Sequence, residues 1–114
     1  MKLDKKIEII EAPLSTGVGL KGVELMASSL RDAGLQEAVG AVNCQAISEP
    51  LLVSTIDPST HLPEPLVIRK FLLELADRVA DSCHRNQMPL VVGGDCTILL
   101  GCLAGAKRQG DLGL

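Results

Sequence analysis

Apolar residues fall along this chain in blocks whose period changes from strand-like to helical. Residues 7–10, IEII, are a short run with a β-branched majority, flanked by Lys6 and by Ala12 and Pro13. The pattern predicts a buried strand over residues 5–11, ended by the proline. The following stretch, PLSTGVGLKG, is rich in Gly, Ser and Thr and reads as a loop. From residue 22 to residue 33 the apolar positions Val23, Met26, Ala27, Leu30 and Ala33 recur at helical spacing, and Gly34 follows as a stop signal. Residues 41–47, AVNCQAI, form a weakly patterned second strand, with the run at 51–56 as its competitor. The stretch 57–65, DPSTHLPEP, holds three prolines and reads as an irregular surface loop.

The second half is more regular. Residues 66–85 carry Ile68, Leu72, Leu75, Ala76, Val79, Ala80 and Cys83 on one face, which predicts a long amphipathic helix. Pro89 introduces Leu90, Val91 and Val92, a strand too apolar for a wet face and therefore expected to be buried on both sides of a parallel sheet. Gly93 and Gly94 break it. Asp95 is the expected N-cap of an apolar helix over residues 97–107, and residues 111–114, DLGL, read as the start of another strand. Alternating strands and helices imply an α/β fold with a parallel sheet and helices on both faces. In such sheets ligands gather outside the carboxyl ends of the strands, which is where residues 93–96 fall.

Composition narrows the function classes. The chain has 114 residues, of which 46% are hydrophobic, enough for one domain or part of one. One Phe and no Trp or Tyr leave the core to Leu, Val, Ile and Ala, and exclude an aromatic stacking platform for single-stranded nucleic acid. The net charge of -3 is spread over interspersed signs, without a basic stripe for a phosphate backbone, so no nucleic-acid partner is expected. Cys44, Cys83, Cys96 and Cys102 lack the tight pair spacing of a structural zinc site and read as reduced thiols. The start, MKLDKKIEII, has no apolar run of signal-peptide length, and no segment is as apolar as a membrane span. A cytoplasmic protein without a membrane partner is the expectation.

Two glycines after a buried strand let the backbone turn sharply and bring a ligand or metal close to the main chain. A glycine turn between strand and helix also occurs for packing reasons alone, so the chemistry rests on a wider match. The segment LVVGGDCTILLG resembles the first metal-ligand motif of the arginases, agmatinases and formiminoglutamases, the ureohydrolases: a strand, Gly-Gly-Asp-His, and a helix opening with an apolar run and a glycine. Cys96 stands where the histidine ligand is expected. Upstream, IEIIEAPLSTGVGLKGVELMASSLRDAGL is similar to the family's first strand, its proline-containing loop and its Gly-Val-Glu helix. The two blocks occur in the family's order, so the resemblance covers roughly residues 5–114.

The resemblance implies a three-layer α-β-α domain, arginase/deacetylase-like, with strand one between strands two and three. It implies hydrolysis of a carbon-nitrogen bond in a linear guanidine or amidine of the arginine, agmatine or formiminoglutamate class. Two Mn2+ ions would activate a bridging hydroxide against the substrate carbon. It also implies a homo-oligomer for the complete protein. Cys96 would occupy a metal-ligand position, with Gly93, Gly94 and Asp95 shaping it, and no catalytic residue is assigned. The family's later ligand segments, Asp-x-His-x-Asp and Ser-x-Asp-x-Asp, do not occur in residues 1–114. These residues therefore read as the N-terminal part of a single arginase-like domain, inactive alone. A thiolate suits Zn2+ or Fe2+ better than manganese, so Cys96 marks either a subfamily with a changed metal, the preferred reading, or a decayed site holding no metal.

Three other classes stand beside this one. Gly17, Gly19 and Gly22 match the spacing of a dinucleotide-binding fingerprint, but six residues separate the predicted strand from it and no acidic residue closes a second strand. Cys96 at the start of a helix could be an activated nucleophile if His61 or His84 supplied a base, although both histidines read as surface residues. The third class is a non-enzymatic remnant, or a fragment completed by a partner, with an apolar sheet edge left open.

Overall fold

The computed structural model describes residues 5–16, 22–50, 58–59 and 64–110. Strand β1 (Lys6–Ala12) is followed by a 3-10 turn, Val23–Leu25, and helices α1 (Met26–Asp32) and α2 (Leu35–Val39). Strand β2 (Asn43–Ala46), helix α3 (Pro65–His84), strand β3 (Gln87–Gly93) and helix α4 (Ile98–Lys107) complete the order. The sheet is parallel, in the order β2-β1-β3. Ile9 of β1 lies opposite Cys44 on one side and Leu90 on the other. The first strand is thus central, as the resemblance implies.

Alternation along β1 sends its side chains into two cores. Ile10, Ala12 and, beyond the strand, Leu14 pack with Ile47 against Ile68, Phe71, Leu75 and Val79 of α3, with Ile98 and Cys102 of α4 at the margin. Ile9 and Val92 pack on the other face with Ala27 of α1 and with Leu35 and Val39 of α2. Helices therefore cover both faces of the sheet, and the architecture is three-layer α-β-α. A Cβ built on Gly105 of α4 would lie 2.5 Å from the Ala76 carbonyl of α3, which measures how closely the two helices approach.

Several element boundaries differ from the sequence pattern for identifiable reasons. The first helix begins as a 3-10 turn, and Gly34, with φ +96, turns the chain into the short helix α2 that the periodicity does not show. Pro65 does not close the loop but occupies the first turn of α3, where a missing N–H costs nothing. Pro89 likewise lies inside β3, opposite Glu8. Among the described residues β3 is an edge strand, which is why Leu90 and Val91 are only half-buried although their composition suits a central position. The competing strand at 51–56, most of the proline-rich loop and the 111–114 segment lie outside the described residues.

The run IEII conceals a polar feature. Glu8, fully buried, accepts hydrogen bonds from Arg85 at the end of α3 (2.8 Å) and from Asn43 of β2. Burial pushes its carboxyl upward, but the bonds from Arg85 and Asn43 outweigh that and hold it below the ordinary value. On the opposite face, Glu11 receives Arg31 of α1 at 2.9 Å. The Cys44 thiol lies 3.5 Å from the Glu11 carboxylate, and burial together with that negative neighbour raises its pKa.

Candidate functional site

The carboxyl ends of β1 and β3 meet at the pair Ala12 and Gly93. Beyond it the chain turns through Gly94, Asp95, Cys96 and Thr97 before α4 begins at Ile98. The Gly93–Gly94 peptide is cis, and Gly94 has φ +77. A Cβ on Gly94 would fall 2.5 Å from the Ala12 carbonyl oxygen and 2.7 Å from that of Leu14, so only glycine brings these backbones together.

Main-chain bonds complete the junction. The Asp95 N–H donates to the Leu14 carbonyl at 2.9 Å and the Gly94 N–H to that of Val23 at 3.2 Å. The Asp95 side chain turns back over the same joint. Its Oδ2 accepts the Thr16 N–H at 2.7 Å and the Thr16 hydroxyl at 2.8 Å, while Oδ1 accepts the Thr97 N–H at 3.0 Å. Burial alone would raise the Asp95 carboxyl, but donation from Thr16 and Thr97 holds it below its usual range. An ionised, triply bonded carboxylate of this kind is a structural bracket and is poorly suited to exchanging a proton. The expectation that Asp95 is the helix N-cap is corrected accordingly. The cap position belongs to Thr97, which makes no side-chain cap bond, and Asp95 bonds the Thr97 N–H from two residues upstream.

Cys96 is exposed at the mouth of this turn, next to the bracket. Thr16, 5% exposed, is the participant that the sequence pattern misses: it lies in a loop of Ser, Thr and Gly, 79 residues from its partner, and nothing in the spacing singles it out. The structure does not bring His84 to Cys96. His84 ends α3 just before β3 begins, whereas Cys96 follows the far end of that seven-residue strand, about 20 Å away at ~3.3 Å per residue. His61 and the first two glycines of the dinucleotide-like spacing lie outside the described residues.

Among the described residues no group of three or more His, Cys, Asp or Glu side chains could hold a metal ion. The donors at this end are the Cys96 thiol and an Asp95 carboxylate already engaged by three donors. A soft sulfur and an occupied carboxylate do not constitute a site for a hard ion such as manganese. No described helix is long and apolar enough to cross a membrane.

The bracket is testable by stability. Thr16→Val, which keeps the backbone donor, is expected to cost about 1.5 kcal/mol, and Asp95→Asn, which weakens all three bonds, about 2–3 kcal/mol. Urea unfolding monitored by circular dichroism measures both.

A parallel sheet between two helical layers, with a glycine turn projecting side chains from its carboxyl edge, defines an α/β domain of the kind that binds ligands at its strand ends. The chain belongs to the arginase family, whose model matches residues 5–114. It is 31% identical over 115 residues to human arginase-1, covering 96% of this chain and 36% of that protein. It is 29% identical to the arginase of Bacillus subtilis, covering 98% of this chain and 39% of that one. The crystal structure of Bacillus subtilis arginase matches 93% of the chain with a TM-score of 0.72 at 27% identity, and that of Bacillus caldovelox arginase matches 92% with 0.73 at 26%. The chain spans about a third of the length of these relatives.

Proposed function

We propose that residues 1–114 are the N-terminal part of a single arginase-like domain whose complete form hydrolyses a carbon-nitrogen bond of a linear guanidine or amidine. Arginine, agmatine and formiminoglutamate represent the substrate class. The observation that carries this reading is the Gly94 turn, which presents Asp95 and Cys96 at the carboxyl end of β3 in the segment that resembles the family's first metal motif. In this reading Cys96 takes the ligand position, Gly93 and Gly94 admit the close backbone approach, and Asp95 holds the turn to Thr16.

A metal in the complete domain would supply an activated hydroxide. Cys96 favours a softer ion, Zn2+ or Fe2+, over the manganese that the family resemblance implies. The residues described here provide orientation and a rigid base for that site but not its full ligand set, so the chain alone is expected to be inactive.

The test is urea release from arginine and agmatine by purified residues 1–114, with Mn2+, Zn2+ or Fe2+ added in turn. The expected result is no release above the metal-only blank. Cys96→His is expected to stay at the same baseline, because one restored ligand does not assemble a cluster. Turnover by either protein would overturn this reading of the chain.

A further inference from the structure

Helices α3 and α4 meet at Gly101 and Gly105, and a solvent-open groove of about 610 Å3 runs along their seam. Arg69, Leu72, Leu73 and Ala76 of α3 line one wall, and Leu100 and Ala104 of α4 line the other. Leu73 is 44% exposed and Leu100 63% exposed. Apolar side chains grouped on a surface in this way mark an interaction site, whereas single scattered ones do not.

The charges beside this groove are ordered. Arg69, Leu73 and Asp77 follow one another at four-residue spacing and form a single ridge along the flank of α3. The cation stands one turn before the leucine and the anion one turn after it. Arg108, just past the end of α4, holds the Asp77 carboxylate at 2.7 Å. Arg69 has no ion-pair partner among the described residues. Glu74 and Arg78, further round the helix, pair with each other and add no net charge.

A ridge with this pattern is complementary to itself when reversed. A second α3 laid antiparallel, with a two-fold axis passing at Leu73, sets Leu73 against its own copy. Four residues at about 1.5 Å rise place each Arg69 about 6 Å from that axis, alongside the partner's Asp77, and each Asp77 alongside the partner's Arg69. A partner surface of one charge sign would instead oppose either Arg69 or Asp77 with a like charge. We propose that the α3–α4 groove and the Arg69–Leu73–Asp77 ridge form an isologous interface between two copies of this chain. Leu73 and Leu100 make its apolar centre, and two reciprocal pairs of Arg69 with Asp77 make its rim. The interface uses none of the residues of the Gly94 turn and does not rest on hydrolysis.

Light scattering of the purified chain across a concentration series tests this, with a reversible monomer–dimer equilibrium as the expected result. Arg69→Asp and Asp77→Arg, made separately, each put two like-charge pairs across the axis. Each should raise the dimer dissociation constant at least tenfold while leaving the helical circular dichroism unchanged. Mixing the two variants restores opposite charges at both places, so a 1:1 heterodimer as tight as the parent dimer should form. The chain carrying both reversals should also dimerise as the parent does. A parent chain that stays monomeric or forms larger aggregates, single reversals that associate as the parent does, or a mixture that stays monomeric would overturn the interface. Urea release plays no part in the readout, so failure here is distinguishable from failure of the proposed activity.

Discussion

Gly94→Ala is expected to lower the stability of the chain by about 3 kcal/mol, a large fraction of the ~5–15 kcal/mol that holds a domain of this size together. Two effects combine. Gly94 has φ +77, where an L-residue is strained by about 1–2 kcal/mol. The added methyl would also stand 2.5, 2.7 and 2.9 Å from the Ala12 oxygen, the Leu14 oxygen and the Leu14 nitrogen. These are backbone atoms of β1 and its extension, fixed by the ladder and by the Asp95-to-Leu14 bond, and they cannot move aside as a side chain would. Gly40→Ala separates the two effects. Gly40 has a similar φ of +66 but open space where a Cβ would go, so it should lose only about 1 kcal/mol. Thermal unfolding of both variants measures the difference, and equal losses would show that the strand ends yield at the site.

This comparison also shows what the residues disclose unaided. The glycine pair after an apolar strand marks a sharp turn at a strand end, and the structure has one there. The doubly wound architecture is legible for the same reason: β1, α3 and β3 are long or apolar enough for period to identify them. What the pattern hides depends on contacts between distant segments. Whether Leu90 to Val92 is a central or an edge strand depends on which strands lie beside it, not on its composition. Thr16 acquires its role only because Gly94 folds Asp95 back over Leu14. Asp95 resembles an N-cap because it precedes a helix, yet the Asp95 N–H is drawn to Leu14 and its carboxylate to Thr16, which leaves the cap position to Thr97. Glu8 is harder still. Within IEII it interrupts a hydrophobic run, and its burial makes sense only once Asn43 and Arg85 converge on it from β2 and the end of α3.

That convergence underlies the second large expected effect. Glu8→Ala should cost about 2–3 kcal/mol, because the bonds made to a charged, fully buried carboxylate disappear and leave the Asn43 amide without its acceptor. The isosteric Glu8→Gln separates charge from shape. The Glu8 carboxyl lies below its ordinary value of 4.5 in the folded chain, so protonation favours the unfolded state. Its contribution is therefore fully present above about pH 4.5 and is lost as the pH falls through the lower folded value. Urea midpoints measured from pH 7 to pH 3 should fall more steeply for the parent chain than for Glu8→Gln, the residual slope of the variant coming from Asp95, whose carboxyl is also held low. Parallel pH profiles would mean that the pair formed by Arg85 and Glu8 does not favour the ionised carboxylate, and that α3 is anchored to β1 by its apolar contacts alone.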